Sequence, residues 1–172
     1  MPIPANADVL SAANAIAHQL KSCSQAPMQE AQQLIAHALN CPPQHLPWAK
    51  TLAPTVTEQL NHWLVQRLDH MPLAYILEHV TFAGLSLRVT PATLIPREAT
   101  ETMVHWLIQR YQSQKKHPIQ AVEWGTGSGA IAIALCQALP AWQWTAIDIS
   151  NKALAIAQHN ARCHPCAITF IQ

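Results

Sequence analysis

Glycine is scarce in this chain of 172 residues: there are four. Three of them, Gly125, Gly127 and Gly129, fall within five residues, so the positions most open to unusual backbone angles are gathered in one loop. Charge is scarce too. Asp, Glu, Lys and Arg make up 11% and the net charge is +1, against roughly 25% charged residues in typical soluble domains. That balance excludes a broad electrostatic footprint for nucleic acid or membrane, and no direct nucleic-acid binding is expected. No apolar run approaches the ~20 residues that span a bilayer. The start carries no basic n-region, and Val9 to Leu20 mixes Asn14, His18 and Gln19 with apolar residues, so no secretory leader is read there. The five cysteines, Cys23, Cys41, Cys136, Cys163 and Cys166, are odd in number and spread without a framework. They read as reduced thiols of a cytoplasmic protein.

What is present is apolar content, 50% of the chain, and two successive periodicities. Val9, Ala13, Ile16 and Leu20 share a helical face. A second helix is predicted over 28–39, opened by Pro27 and stopped by Asn40, Pro42 and Pro43. After a short turn at 44–48, a capping box of Thr55 and Glu58 predicts a further helix with Val56, Leu60, Trp63, Leu64, Arg67 and Leu68 in its stripe. Strands at 79–82 and 85–89 around Ala83-Gly84 form a hairpin signal. A helix at 98–111 and a polar loop at 112–118 follow. From residue 119 the order is strand (119–124), helix (128–139), strand (142–147), helix (151–162), strand (167–171). Such alternation implies a parallel sheet with crossover helices.

The glycine loop, Glu123-Trp124-Gly125-Thr126-Gly127-Ser128-Gly129, lies between a predicted strand and a predicted helix. Its glycines let a ligand approach the backbone, and the helix N-terminus favours an anion. A tight turn alone would need one glycine. Two ligands remain open on spacing. Gly125, Gly127 and Ala130 satisfy the dinucleotide pattern, with Asp148 at a suitable distance for a ribose. S-adenosylmethionine fits the G-x-G-x-G arrangement better. Glu123 would repel a pyrophosphate but suits an amino group, and Asp148 can accept from both ribose hydroxyls. Asp148 could instead be a turn aspartate before Ser150.

Other constellations read as structural. Cys163-His164-Pro165-Cys166, with His159 nearby, is half of a zinc pattern without a second half, so no metal is expected. Trp63, Trp106, Trp142 and Trp144 read as packing residues. His105 and His159 read as surface or partly buried positions, and Lys115-Lys116 as a solvated loop. Two readings of Arg97 stay open: ordering the ligand pocket, or a salt bridge near the hairpin.

The stretch Val89-Thr90-Pro91-Ala92-Thr93-Leu94-Ile95-Pro96-Arg97, with Thr100-Glu101, the glycine loop through Ala132, and Pro72-Leu73-Ala74-Tyr75-Ile76-Leu77 upstream, resembles the HemK/PrmC family of release-factor glutamine methyltransferases. The resemblance implies an α/β Rossmann-like, S-adenosylmethionine-dependent methyltransferase domain over 97–172, of which the first three strands are present. A β-hairpin linker (73–96) and a helical release-factor-binding domain (1–72) would precede it. It implies a monomer that methylates the side-chain amide nitrogen of the glutamine in a release factor's Gly-Gly-Gln motif. Glu123, Gly125, Thr126, Gly127, Ser128, Gly129 and Asp148 would hold the cofactor. Where the family has Pro-Asp or Pro-Glu this chain has Glu98-Ala99, Glu78 stands at a usual glycine, and Trp124 replaces a smaller aliphatic residue. Rival readings are a ribosomal-protein glutamine methyltransferase, a nicotinamide-dependent enzyme, and a non-catalytic fragment that binds cofactor or release factor. The family's Asn-Pro-Pro-Tyr motif, which aims the amide, does not occur in the sequence, so no catalytic residue is assigned. The expectation is therefore that this chain folds poorly and transfers no methyl group. Methyl incorporation into release factor from labelled S-adenosylmethionine, above a no-enzyme control, would overturn it.

Overall fold

The structure, a computed structural model, describes residues 2–114 and 116–172. Lys115 of the Lys115-Lys116 pair lies outside the described residues. The chain divides into two compact units, Met1–Leu77 and Glu78–Gln172, each with its own apolar core. Among the described residues no helix is long and apolar enough to cross a membrane.

The first unit is helical. Helix α1 (Val9–Leu20) is capped by Asp8, whose carboxylate accepts from the Ser11 amide at 2.6 Å. That bond holds the Asp8 carboxyl below its ordinary range. Its inward stripe, Val9, Ala12, Ala13, Ile16, Ala17 and Leu20, is buried. Helix α2 (Pro27–Ala38) opens on proline, and α3 spans Pro54–Leu68. The capping box predicted for α3 does not form. Ala53 is the N-cap and makes no side-chain cap bond. Pro54 takes the first helical position, where its fixed φ and missing N–H cost nothing, so Thr55 lies inside the helix. Arg67 of the predicted stripe is there to pair. Its guanidinium meets Glu30 of α2 at 2.8 Å and donates to the Cys23 carbonyl at 3.1 Å, mostly out of solvent. A single turn, α4 (Leu73–Ile76), packs Ile76 into this core.

The second unit begins with the hairpin β1 (His79–Phe82) and β2 (Leu85–Arg88). Ala83 and Gly84 both adopt positive φ, the two-residue turn that matches strand twist. Phe82 and Leu87 face its core. Helix α5 (Glu98–Tyr111) follows; then β3 (Gln120–Trp124), α6 (Ala130–Ala138), β4 (Gln143–Ile147), α7 (Asn151–Cys163) and β5 (Ile168–Ile171). The three strands form a parallel sheet in the order β3-β4-β5. This is the incomplete Rossmann-like arrangement expected of the sequence.

Among the described residues β3 lies at the edge of the sheet. Val122 and Trp124 point from it into solvent, 61% and 84% exposed, while Ala121 and Glu123 take the opposite, partly covered face. A groove of about 670 Å³ runs along it, with Met103, Leu107, Tyr111 and Trp142 among its walls. Trp142 and Trp144 stack at 5.9 Å. Trp106, predicted to pack, is 59% exposed, because the inward face of α5 is carried by Val104, Leu107 and Ile108.

Glu78 is backbone-strained. Its φ is +51°, a region that suits glycine. Its carbonyl accepts from the Val89 amide, and its carboxylate pairs with Arg88 at the surface. The strain outweighs an exposed ion pair worth at most about 1 kcal/mol. Glu78→Gly is therefore expected to leave stability unchanged or raise it by up to about 1 kcal/mol in urea unfolding. A loss of stability greater than that amount would refute the assignment of strain.

Candidate ligand site at the carboxyl ends of β3 and β4

The parallel register sets Trp124 beside Ile147, so the glycine loop leaves β3 next to the turn that leaves β4. The loop folds back onto β4: the Gly125 and Thr126 amides both donate to the Ile147 carbonyl, at 2.8 and 2.9 Å. The Gly127 amide donates to Asp148 Oδ2 at 2.8 Å, and Asp148 Oδ1 accepts from the Ser150 amide at 2.9 Å. Asp148 thus closes the turn into α7, and the same carboxylate ties the glycine loop to it. Each of its oxygens keeps a second lone pair. Ser150 caps α7 by accepting from the Ala153 amide.

Glu123 organises the other side. Its Oε2 accepts from the Thr126 hydroxyl at 2.6 Å and from the Ala132 amide, in the first turn of α6, at 3.1 Å. Helix α6 has Gly129 as its N-cap and no side-chain cap of its own, so a strand carboxylate serves its orphan amide. Among the described residues Glu123 Oε1 has no partner. Burial raises the Glu123 carboxyl above its ordinary value of 4.5, the two hydrogen bonds oppose that, and the Asp148 charge adds to it.

The three glycines of the loop divide by role. All have positive φ. A Cβ on Gly125 or Gly127 would meet nothing within 4 Å, whereas one on Gly129 would meet Ile133 Cδ1 at 3.1 Å and Ala157 Cβ at 3.2 Å. Gly129 serves close packing of the loop against α7. Gly125 and Gly127 border open space, a cradle that side chains would fill. Thr126 and Ser128 are buried. The sequence-predicted residues Glu123, Thr126, Gly127 and Asp148 therefore join one hydrogen-bonded frame. Asn160, which the sequence pattern does not single out, is 1% exposed and donates to the Ser128 carbonyl. Its only sequence signal was a polar residue on the inward stripe of α7.

The other candidates stand apart. Arg97 is exposed at the N-cap of α5 and makes no ion pair among the described residues. Cys163 lies 3.8 Å from His159 Nε2, while Cys166 turns inward to the Ile133 carbonyl. Burial beside Cys136 pushes the Cys166 thiol up to about 12.

Known proteins match both units. The PrmC N-terminal domain model matches residues 11–77, and a methyltransferase domain model matches residues 121–172. A release factor glutamine methyltransferase of Flavobacterium psychrophilum is 42% identical over 118 residues, 66% of this chain and 41% of that protein. One of Coxiella burnetii is 41% identical over 105 residues, 61% of this chain and 37% of that protein. In both units the chain is similar to the HemK/PrmC family. It spans less than half the length of these relatives. A human relative, MTRF1L release factor glutamine methyltransferase, is 33% identical over 121 residues, 67% of this chain and 36% of that protein. Glu78 occupies a left-handed position, which glycine suits.

The Glu123 carboxyl gives a signed pH prediction. Its folded-state value is raised, so the folded protein holds the proton more tightly than the unfolded chain. Its contribution to stability is therefore lost as pH rises from 4.5 through the folded value. In Glu123→Gln the amide oxygen can still accept from Thr126 and Ala132, and nothing ionises. At pH 8 its thermal midpoint is expected to exceed wild type by roughly 2–5 °C, the gap closing towards pH 4.5. A gap independent of pH would show that burial of the charge is not what Glu123 contributes.

Proposed function

We propose that this chain carries the cofactor half of an S-adenosylmethionine-dependent protein-glutamine N5-methyltransferase acting on peptide-chain release factors. The observation that carries the reading is the cradle itself. Gly125 and Gly127 border open space between two carboxylates, and one of these, the partly buried Glu123, keeps an oxygen without a protein partner among the described residues. That oxygen suits the amino group of an amino-acid ligand. The remaining lone pairs of Asp148 suit two ribose hydroxyls, and Ile149, 91% exposed beside it, offers an apolar face to a base. Glu123, Gly125, Thr126, Gly127, Ser128, Gly129 and Asp148 would form the holding set.

The same observation weighs against a dinucleotide. Its pyrophosphate would be placed at the N-terminus of α6, where a carboxylate already takes the Ala132 amide. S-adenosylmethionine supplies an electrophilic methyl on a sulfonium. The chain's own part is to fix that molecule by both ends, so that an approaching amide nitrogen meets it in one orientation. The transfer partner is proposed from the relatives' names: a release factor, gripped by the helical region over 1–72, with the hairpin region 73–96 joining it to the methyltransferase domain. A ribosomal-protein substrate is the second reading.

Binding is the direct test. S-adenosylmethionine, and not NAD, is expected to raise the thermal midpoint. Asp148→Ala is expected to weaken S-adenosylmethionine binding roughly 10- to 100-fold by calorimetry, from the loss of two charge-assisted hydrogen bonds. An unchanged dissociation constant would remove Asp148 from the site and this reading with it.

A further inference from the structure

Asn160 stands on α7 with 1% of its surface exposed, and every hydrogen-bonding direction of its amide that matters in a dry site is used. Oδ1 accepts from the Arg88 amide at 2.8 Å. Nδ2 donates to the Arg88 carbonyl at 2.9 Å and to the Ser128 carbonyl at 2.8 Å. Towards Arg88 the side chain behaves as one residue of a neighbouring strand, taking both backbone groups at the end of β2. Towards Ser128 it fixes a peptide plane. A trans peptide is rigid, so a carbonyl held on one side aims the following N–H to the other. That N–H belongs to Gly129 and donates to the Thr126 carbonyl at 2.9 Å, which folds the loop on itself. Gly129 in turn abuts Ala157, one turn before Asn160 on the same helix.

These contacts join three segments of the second unit: the end of the hairpin, the glycine loop and α7. Glycine at φ +80° has no side chain to lock the Ser128–Gly129 peptide, so its orientation rests on hydrogen bonds, from the Gly129 amide to Thr126 and from Asn160 to the Ser128 carbonyl. We propose that Asn160 is a positioning residue for ligand binding: it holds the Ser128–Gly129 peptide in the orientation that preforms the Gly125–Gly127 cradle. The inference rests on the S-adenosylmethionine reading for its ligand, but the loop's rigidity can be measured without one. Preorganisation of this kind lowers the ordering cost that binding must otherwise meet.

The test uses the 172-residue chain with Asn160→Ala, Asn160→Asp and a control, Val104→Ala, which truncates a fully buried core residue in α5. Two quantities are read: S-adenosylmethionine affinity by calorimetry, and amide hydrogen exchange at Gly127 and Gly129. Asn160→Ala is expected to bind about tenfold or more weakly and to exchange faster at both amides. Val104→Ala is expected to lose thermal stability while changing neither. Asn160→Asp keeps the bond from the Arg88 amide but turns a carboxylate towards two carbonyls. Once protonated it can donate to one of them. Its affinity relative to wild type should therefore recover several-fold as pH falls from 8 to 5, while the ratio for Asn160→Ala stays flat. The proposal is overturned if Asn160→Ala binds and exchanges like wild type, or if Val104→Ala shows the same losses. If even wild type binds no S-adenosylmethionine, the ligand reading fails, and the exchange rates alone decide the role of Asn160.

Discussion

The second unit turns on one buried charge. Glu123 lies at the end of β3 with its carboxylate against the first turn of α6 rather than in water. Burying a carboxylate is costly unless its oxygens are satisfied. Here one oxygen is satisfied twice and the other not at all. The satisfied oxygen shapes the loop: the Thr126 hydroxyl that donates to it pulls the loop towards β3, and the helix amide that donates to it sets where α6 begins. The other oxygen has no protein partner among the described residues and stays accessible to solvent. An acceptor fixed by its partly buried carboxylate and still open on one side can take a ligand donor, which is why the carboxylate says more about function than the glycines do.

Scarcity of glycine gives the loop its second constraint. All four glycines of the 172-residue chain have positive φ, and three of them stand in this loop. Two of these open towards solvent and one is closed by Ala157 and Ile133. The closed one lets α6 and α7 approach, and their approach brings Asn160 within reach of the Ser128 carbonyl. Packing and recognition are thus separate tasks assigned to neighbouring residues of the same motif.

What the sequence made legible was what local chemistry decides. Val9 to Leu20 and Glu98 to Tyr111 begin and end where their periodicity does. Ala83-Gly84 makes the hairpin turn because that dipeptide sits between two alternating runs. The frame of Glu123, Thr126, Gly127 and Asp148 was readable from strand, glycines and acid in the right order. Competing local signals were less readable: at Pro54 and Thr55, the fixed φ of proline prevailed over a capping box. Tertiary choices were not readable either. Trp106 looks like a core residue, yet the face of α5 that carries it is not covered. Asn160 could not be found, because its partners lie 32 and 72 residues away in the chain. Nor could the sequence show that Asp148 would hold the glycine loop and close its own turn at once.

The site depends finally on the register of β3 against β4. Trp144 and Ala146 turn one face of the central strand into the core, and the pairing sets Ala121 beside Trp144 and Glu123 beside Ala146. A slip of one residue would reverse the faces of β3. Val122 and Trp124 would then press onto α6, and Glu123 would point into solvent, away from the Ala132 amide. The same slip would carry Gly125 and Thr126 off the Ile147 carbonyl they share. The apolar pattern of β4, the buried acid of β3 and the folded-back loop therefore select the same register. Each supports the others, because the alternative exposes the acid and leaves the helix amide without its partner. The exposed outer face of β3 contributes nothing to that choice, which is why a residue as large as Trp124 can stand there without disturbing the carboxyl beside it.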